Sequence, residues 1–276
     1  MTAPPDDEIA FRALTEKIAR ERGFSCANYK DGCLRRRIAV RMRASGATDF
    51  GRYATVLDTD AAEYDRLLDA LTINVTRLFR DAPVWEAVAD QVLPVRWLTS
   101  PTRFQIWSAG CASGEELYTL AALVHRHAER TGTLSRLART TIIGSDIDRA
   151  SLAAAERGRF PADAFVEVPE EIKSRYFSPT PPHQAVPELR ALVKPERRDL
   201  LTEPAPATGL QLISCRNMLI YIDRASQEPL LRRFHDALVP GGFLVLGKVE
   251  TLMGPMRSLF ETVDQKHRIF RRSAAS

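Results

Sequence analysis

Residues 104–120 read "FQIWSAGCASGEELYTL". A short apolar run stops at a loop of Ser, Ala, Gly and Cys. Two glutamates follow, and apolar residues then return at helical spacing. The pattern predicts a strand, a tight loop and a helix N-terminus. Gly110 and Gly114 permit a tight turn and close backbone approach to a ligand. The loop lacks the G-x-G-x-x-G of a dinucleotide site and the GK[ST] of a P-loop. No Lys or Arg occurs in 104–125, which disfavours a phosphate there. The acid suits a cationic, hydroxyl-rich ligand. Ser113-Gly114-Glu115-Glu116 also matches the capping box S-x-x-E, in which Glu116 would satisfy free helix N–H groups. Both readings of Glu116 stay open at this point, and Glu115 is set aside.

Working outward, β-rich runs alternate with helical stretches. "RTTIIGSD" (139–146) is a strand ending on an acid, and "DRASLAAAERGRF" is a helix. "GLQLISCRN" (209–217) is a strand entering a polar loop. "SQEPLLRRFHDALVPGG" is a helix closed by Pro240-Gly241-Gly242; "FLVLG" (243–247) and "HRIFRR" (267–272) are strands. Such alternation predicts a mostly parallel, doubly wound sheet. Ligands of these folds sit outside the carboxyl ends of the strands, where the opening stretch, Asp146 and "CRN" all fall. Asp146 can accept hydrogen bonds from ribose hydroxyls, or the Asp146-Ile147-Asp148 run can cap the helix at Arg149. S-adenosylmethionine offers a sulfonium, an ammonium and a ribose diol. The "LVPGGFLVLG" stretch is frequent in class I methyltransferases.

Upstream, residues 7–75 read as all-helical. Ile9, Leu14 and Ile18 are the apolar positions of a first helix that stops at Gly23. The stretch "NYKDGCLRRRIAVRMRASG" (28–46) reads as a basic amphipathic helix, with Leu34, Ile38, Val40 and Met42 as apolar anchors. The chain of 276 residues has ample length for a core, and its net charge is +4. Four scattered cysteines without CxxC spacing argue against a disulfide framework or a zinc site, and Cys111 and Cys215 read as small buried residues. No apolar run reaches the ~20 residues of a membrane helix, and the polar start is no secretory signal. These features predict a cytoplasmic protein without a metal.

"LTINVTRLFRD" (71–81), "WSAGCASGEELYTLA" (107–121), "GSDID" (144–148), "ISCRNMLIYID" (213–223) and "LVPGGFLVLG" together resemble the chemotaxis receptor methyltransferases, the CheR family. The resemblance covers nearly the whole chain. It implies an α/β fold, a class I methyltransferase with a Rossmann-like doubly wound sheet, a small all-helical N-terminal domain and a small β insertion. The expected boundaries are 1–72 for the helical domain and 73–276 for the methyltransferase domain, with the insertion at about 176–198.

The resemblance further implies transfer of a methyl group from S-adenosylmethionine to receptor glutamates, giving glutamate methyl esters and S-adenosylhomocysteine in chemotactic adaptation. Asn74, Thr76, Arg80, Glu116, Asp146, Asp199, Leu200, Arg216 and Asn217 would line the cofactor pocket. Arg80 and Tyr221 match the candidates for the transfer step. Arg35, Arg36, Arg37, Arg41 and Arg43 would face the acidic helices of a chemoreceptor and steer the encounter. The expected enzyme is a monomer without nucleic-acid binding or membrane insertion.

Departures from the family pattern are Leu78, Leu117 and "LGKVETL", the last standing where His-Ser-Glu is frequent. The Pro- and Ala-rich "SPTPPHQAVPEL" predicts that a receptor-pentapeptide tether is absent. Two rival readings are weighed. A nucleic-acid amino-methylase would carry [DN]PP[YF] where this chain has "SCRNM". A non-catalytic S-adenosylmethionine sensor or scaffold would not need the retained Arg80, Glu116, Asp146, Asn217 and Tyr221.

Overall fold

The computed structural model describes residues 6–72, 76–100 and 102–273. The chain divides into two compact units: 1–73 with 221–227, and 74–220 with 228–276.

The first unit holds α1 (Asp6–Arg22), α2 (Asp31–Ser45), α3 (Phe50–Thr59) and α4 (Ala61–Leu71). Phe11, Leu14 and Ile18 bury one face of α1, and Leu34, Ile38 and Met42 one face of α2. Ile9, expected inside, is exposed; Phe11 takes its place, because it stands three residues before Leu14 on the same face. Gly46 ends α2 in the left-handed conformation (φ 75°). Asp49 and Asp60 cap α3 and α4 by accepting from the backbone N–H groups of Arg52 and Glu63. Residues 221–227 return to this unit: Tyr29 bridges Ile222, the Lys30 N–H donates to the Tyr221 carbonyl, and the Asp223 N–H donates to the Asn28 carbonyl.

The second unit runs through α5 (Ala82–Ala87), a π-helical turn (Val88–Val92) and α6 (Leu93–Thr99) into the sheet region. There follow β1 (Phe104–Ala109), α7 (Glu115–Arg130), β2 (Thr140–Asp146), α8 (Arg149–Arg157), β3 (Arg159–Phe160), α9 (Glu170–Tyr176), β4 (His183–Gln184), α10 (Pro187–Arg190), β5 (Val193–Arg197) and β6 (Leu210–Cys215). The chain closes with α11 (Arg224–Ala237), β7 (Leu238–Leu246), α12 (Met256–Leu259), β8 (Phe260–Asp264) and β9 (Ile269–Arg272). Among the described residues the main sheet has seven strands in the order β5-β2-β1-β6-β7-β9-β8. β9 runs antiparallel to both of its neighbours, β7 and β8, and the remaining neighbouring pairs are parallel. β6 is buried at every position and β1 at all but Gln105, as expected of parallel strands covered on both faces. The strand order reverses between β1 and β6, which opens a crevice at their carboxyl ends.

Three segments differ from the sequence expectation. Within 176–198, β4 pairs with β3 in a small sheet, while Val193–Arg197 pairs with β2 as an edge strand of the main sheet. Pro240-Gly241-Gly242 does not close the helix. α11 stops at Ala237, and the turn loops out inside β7, between Leu238 paired with Leu210 and Phe243 paired with Leu212. Gly241 supplies the positive φ (71°) that this loop needs. β8 was not anticipated, because "FETVD" is mostly exposed and carries no clean alternation. No helix among the described residues is long and apolar enough to cross a membrane.

Candidate active site

The turn after β1 is built by two glycines and a carboxylate. Gly110 (φ 83°) and Gly114 (φ 99°) occupy backbone conformations that L side chains rarely adopt. A Cβ on Gly114 would lie 2.8 Å from the Ala155 Cβ, so this glycine also lets α7 meet α8. The Gly110 and Cys111 N–H groups donate to the Ser145 carbonyl at 2.8 and 3.1 Å, which ties the turn to the end of β2. Asp146 completes the tie. Its two carboxylate oxygens accept from the backbone N–H groups of Ala112 (2.9 Å) and Asp148 (3.0 Å). Burial pushes the Asp146 carboxyl above its ordinary range, opposed by these two N–H donors. Each carboxylate oxygen accepts two bonds, so acceptor capacity remains for ligand hydroxyls. Asp148, not Asp146, caps α8, accepting from the Ala150 N–H at 2.8 Å.

The capping-box reading of Glu116 is overturned. Gly114, not Ser113, is the N-cap residue, and it makes no side-chain cap bond. The left-handed glycine starts the helix one residue later than the S-x-x-E spacing assumed. Ser113 Oγ instead donates to Glu115 at 2.8 Å, and Glu116 accepts from Ser108 Oγ at 2.7 Å. Glu115 is buried, and burial pushes its carboxyl up.

The "CRN" segment after β6 brings a buried cation. The Arg216 side chain is 2% exposed; it donates to Asp81 at 2.7 Å and stands 3.9 Å from Glu116 Oε2. Its guanidinium lies over the Trp85 ring, 4.8 Å from the centroid. Asn217 sits at φ 59°, and its N–H donates to Glu250. Glu250 also accepts from the N–H groups of Gly247 and Ile220. Burial raises the Glu250 carboxyl against those donors. A Cβ on Gly247 would meet Glu250 Oε2 at 2.6 Å and Asn217 N at 2.7 Å, so only glycine fits this loop.

Sequence models of two families match the chain. The one described as "CheR methyltransferase, SAM binding domain" matches residues 74–269, and the one described as "CheR methyltransferase, all-alpha domain" matches residues 9–72. The chain belongs to the CheR methyltransferase family. A chemotaxis protein methyltransferase of Listeria innocua is 31% identical, over 91% of this chain and 93% of its own length. Chemotaxis protein methyltransferase 2 of Pseudomonas aeruginosa is 32% identical, over 92% of this chain and 91% of its own length. A 104.1 kDa protein of Rhodobacter capsulatus is 33% identical over 95% of this chain, which spans 27% of that protein's length.

In this CheR chain the carboxyl ends of adjacent strands gather the Asp199 loop, Asp146, the Gly110–Gly114 turn and Arg216 with Asn217. The Arg198 N–H donates to the Asp146 carbonyl, joining the first two. Asp199 is buried and accepts from the Leu201 N–H at 2.9 Å; Leu200 is buried beside it. Thr76 and Arg80 are half-buried in the loop before α5, where Trp85 Nε1 donates to the Arg80 carbonyl at 3.0 Å. Phe79 (φ 56°) and Asp81 (φ 60°) flank Arg80 in left-handed conformations, held by bonds from the Phe79 N–H to Thr119 Oγ1 and from the Asp81 N–H to Glu167. Asn74 lies outside the described residues. These residues fit S-adenosylmethionine, the cofactor of the CheR family domain. Two carboxylates suit the hydroxyls and the ammonium, and the glycine turn admits a ligand close to the backbone. Burial pushes the Cys111 and Cys215 thiols up, which leaves neither poised as a nucleophile.

Tyr221 belongs to the helical unit, where the Arg37 guanidinium lies 5.3 Å from its ring centroid. The five arginines of α2 separate into two sets. Arg35 pairs with Asp7 and Glu8 and covers the Phe11 ring. Arg37 donates to the carbonyls of Ala70 and Leu71 at the end of α4. Arg41 makes a forked bond to Glu63, which is 3% exposed and also accepts from Tyr53 Oη. Arg36 and Arg43 are exposed on one stripe with Val40. Asp81, Trp85 and Glu250 escaped the sequence reading. The signal for Asp81 was its place at the end of "LTINVTRLFRD", and for Glu250 its place in "LGKVETL".

Proposed function

We propose that this chain transfers a methyl group from S-adenosylmethionine to glutamate side chains of chemoreceptors in the cytoplasm, releasing S-adenosylhomocysteine and leaving γ-glutamyl methyl esters. The observation that carries this reading is the pairing of an acid-lined glycine turn with a chain that belongs to the CheR family.

When bound, S-adenosylmethionine supplies a methyl carbon activated by the positive sulfonium. A receptor glutamate oxygen held in line with that carbon would displace the sulfur and take the methyl group, and holding it there is the task of the chain's own residues. Glutamate is already an anion at neutral pH, with an ordinary pKa near 4.3, so no general base is required. The chain's residues therefore position and desolvate. Asp146 and Glu116 hold ligand hydroxyls and ammonium. Ser108 Oγ holds Glu116, and the Arg216 guanidinium 3.9 Å away adds a positive charge beside it, which makes Arg216 a positioning residue as much as a pocket wall. Thr76, Asp199, Leu200 and Asn217 complete the pocket, and the family resemblance adds Asn74. Arg80 orients the receptor carboxylate by a charge-assisted bond, and the family resemblance gives Tyr221 a part in the transfer step. Correct orientation alone is worth roughly 7 kcal/mol or more in such a displacement. Arg36 and Arg43 steer the acidic receptor helices.

The test uses the whole chain, methyl-labelled S-adenosylmethionine and a chemoreceptor cytoplasmic fragment. Base-labile, volatile label on the fragment is expected. Tight cofactor binding with no such label would overturn the transferase reading and favour a sensor.

A further inference from the structure

A second, chemically opposite cleft lies at the other end of the sheet. β1 rises from it at Phe104 and β2 at Thr140, so the length of β1 places it roughly 20 Å from the glycine turn. The cleft has a volume of about 230 Å³ and is lined by Ser100, Thr102, Arg103, Ser135, Arg136 and Arg139, besides Phe104. No acidic residue lines it, whereas the methyl-transfer end concentrates acid.

Arg136 is already fixed in place. Its guanidinium rests on the Trp97 ring, 4.5 Å from the centroid, and donates to the Ser100 carbonyl. A guanidinium held this way loses little side-chain freedom when it binds an anion. Ser100 is 6% exposed, and its buried Oγ has no hydrogen-bond partner among the described residues. A buried hydroxyl left unpaired is costly, and it marks a place where a further donor or acceptor is due. Arg103 and Arg139 are exposed, and no ion pair to a carboxylate is formed by either among the described residues. Thr102 and Ser135 add neutral hydroxyl donors.

We propose that this cleft binds a small phosphate-bearing anion. Planar guanidinium forks match phosphate oxygens two at a time, and three of them around a concave site exceed what a single carboxylate needs. The site is separate from the methyl-transfer end and lies at the amino ends of β1 and β2.

Titration calorimetry at fixed ionic strength tests it, with inorganic phosphate, inorganic pyrophosphate and adenosine 5'-monophosphate as probes. Saturable one-to-one binding of a phosphate probe is expected, with affinity lost about tenfold or more in the double variant Arg103→Ala, Arg139→Ala. S-adenosylmethionine affinity and the urea midpoint of that variant should match the parent, because both side chains are exposed. Tighter binding of the nucleotide than of inorganic phosphate would assign a phosphate ester; equal affinity would assign free phosphate. Absence of saturation, unchanged affinity in the double variant, or binding of heparin with none of the phosphate probes would each overturn the proposal.

Discussion

Arg216 and Asp81 stand 135 positions apart in the chain and form an ion pair of 2.7 Å. The arginine comes from the loop after β6 and the aspartate from the loop before α5. The bond therefore clips two loops that otherwise share no secondary structure, and Glu116 and Trp85 complete the enclosure of the cation.

Asp81→Ala should leave that guanidinium without its nearest anion. Breaking a fully buried pair costs about 3–5 kcal/mol. Asp81 is 36% exposed, so water offsets part of this, and a loss nearer about 2 kcal/mol is expected. The urea midpoint should fall, and cofactor affinity with it. An unchanged midpoint would show that Glu116 and Trp85 suffice.

Asp146→Asn keeps one carbonyl acceptor but removes the charge and the second acceptor oxygen. Cofactor affinity should drop by roughly tenfold or more, the worth of a charge-assisted hydrogen bond. Turnover at saturating cofactor should be far less affected. Equal losses in both would move Asp146 from ligand binding to the transfer step.

Glu115 gives a pH signature. Burial raises its carboxyl, so the folded state favours the protonated form. Its contribution is full below the ordinary carboxylate pKa, about 4.3, and fades as pH rises through the raised folded value. Glu115→Gln removes this proton uptake. Unfolding free energy of the variant should therefore fall less steeply with rising pH above about 4.3 than that of the parent. Parallel curves would show that Glu115 is ionised in the fold.

The two sets of arginines on α2 should behave differently. Arg36→Glu with Arg43→Glu should raise the receptor KM, most at low salt, and leave cofactor affinity and stability unchanged. Arg41→Ala should instead destabilise by about 3 kcal/mol, because Glu63 is buried and loses its forked partner. A receptor-specific defect in Arg41→Ala without destabilisation would contradict the division.

Gly114→Ala combines a positive φ with a 2.8 Å approach to Ala155. Strain and overpacking should together cost about 2 kcal/mol or more, read as a lower urea midpoint, with cofactor affinity falling as the turn distorts.

The alternation of strand and helix was legible because parallel strands buried on both faces read as apolar runs, as in "LQLISC". The placement of Asp146 at a strand end and of Glu116 just after a glycine turn was legible because both are local patterns. Glu116's true partner was not: whether Ser113 or Gly114 caps α7 depends on a backbone sign that S-x-x-E does not encode. The division of the α2 arginines was hidden for a similar reason. Charge and helical period identify a basic helix, but the acids that claim Arg35 and Arg41 come from α1 and α4. The edge strand at 193–197 carries Lys, Pro, Glu and Arg, and it is recognised only by its pairing with β2.

Residues 221–227 have a bearing on biosynthesis. The Lys30 N–H reaches the Tyr221 carbonyl, and the Asn28 carbonyl receives the Asp223 N–H. Helices α1–α4 are thus synthesised ahead of the segment that completes their unit, and they gain these bonds only once residues 221–223 have been made. Any fragment ending at residue 73 would lack these bonds permanently, and the first unit is complete only as part of the whole chain.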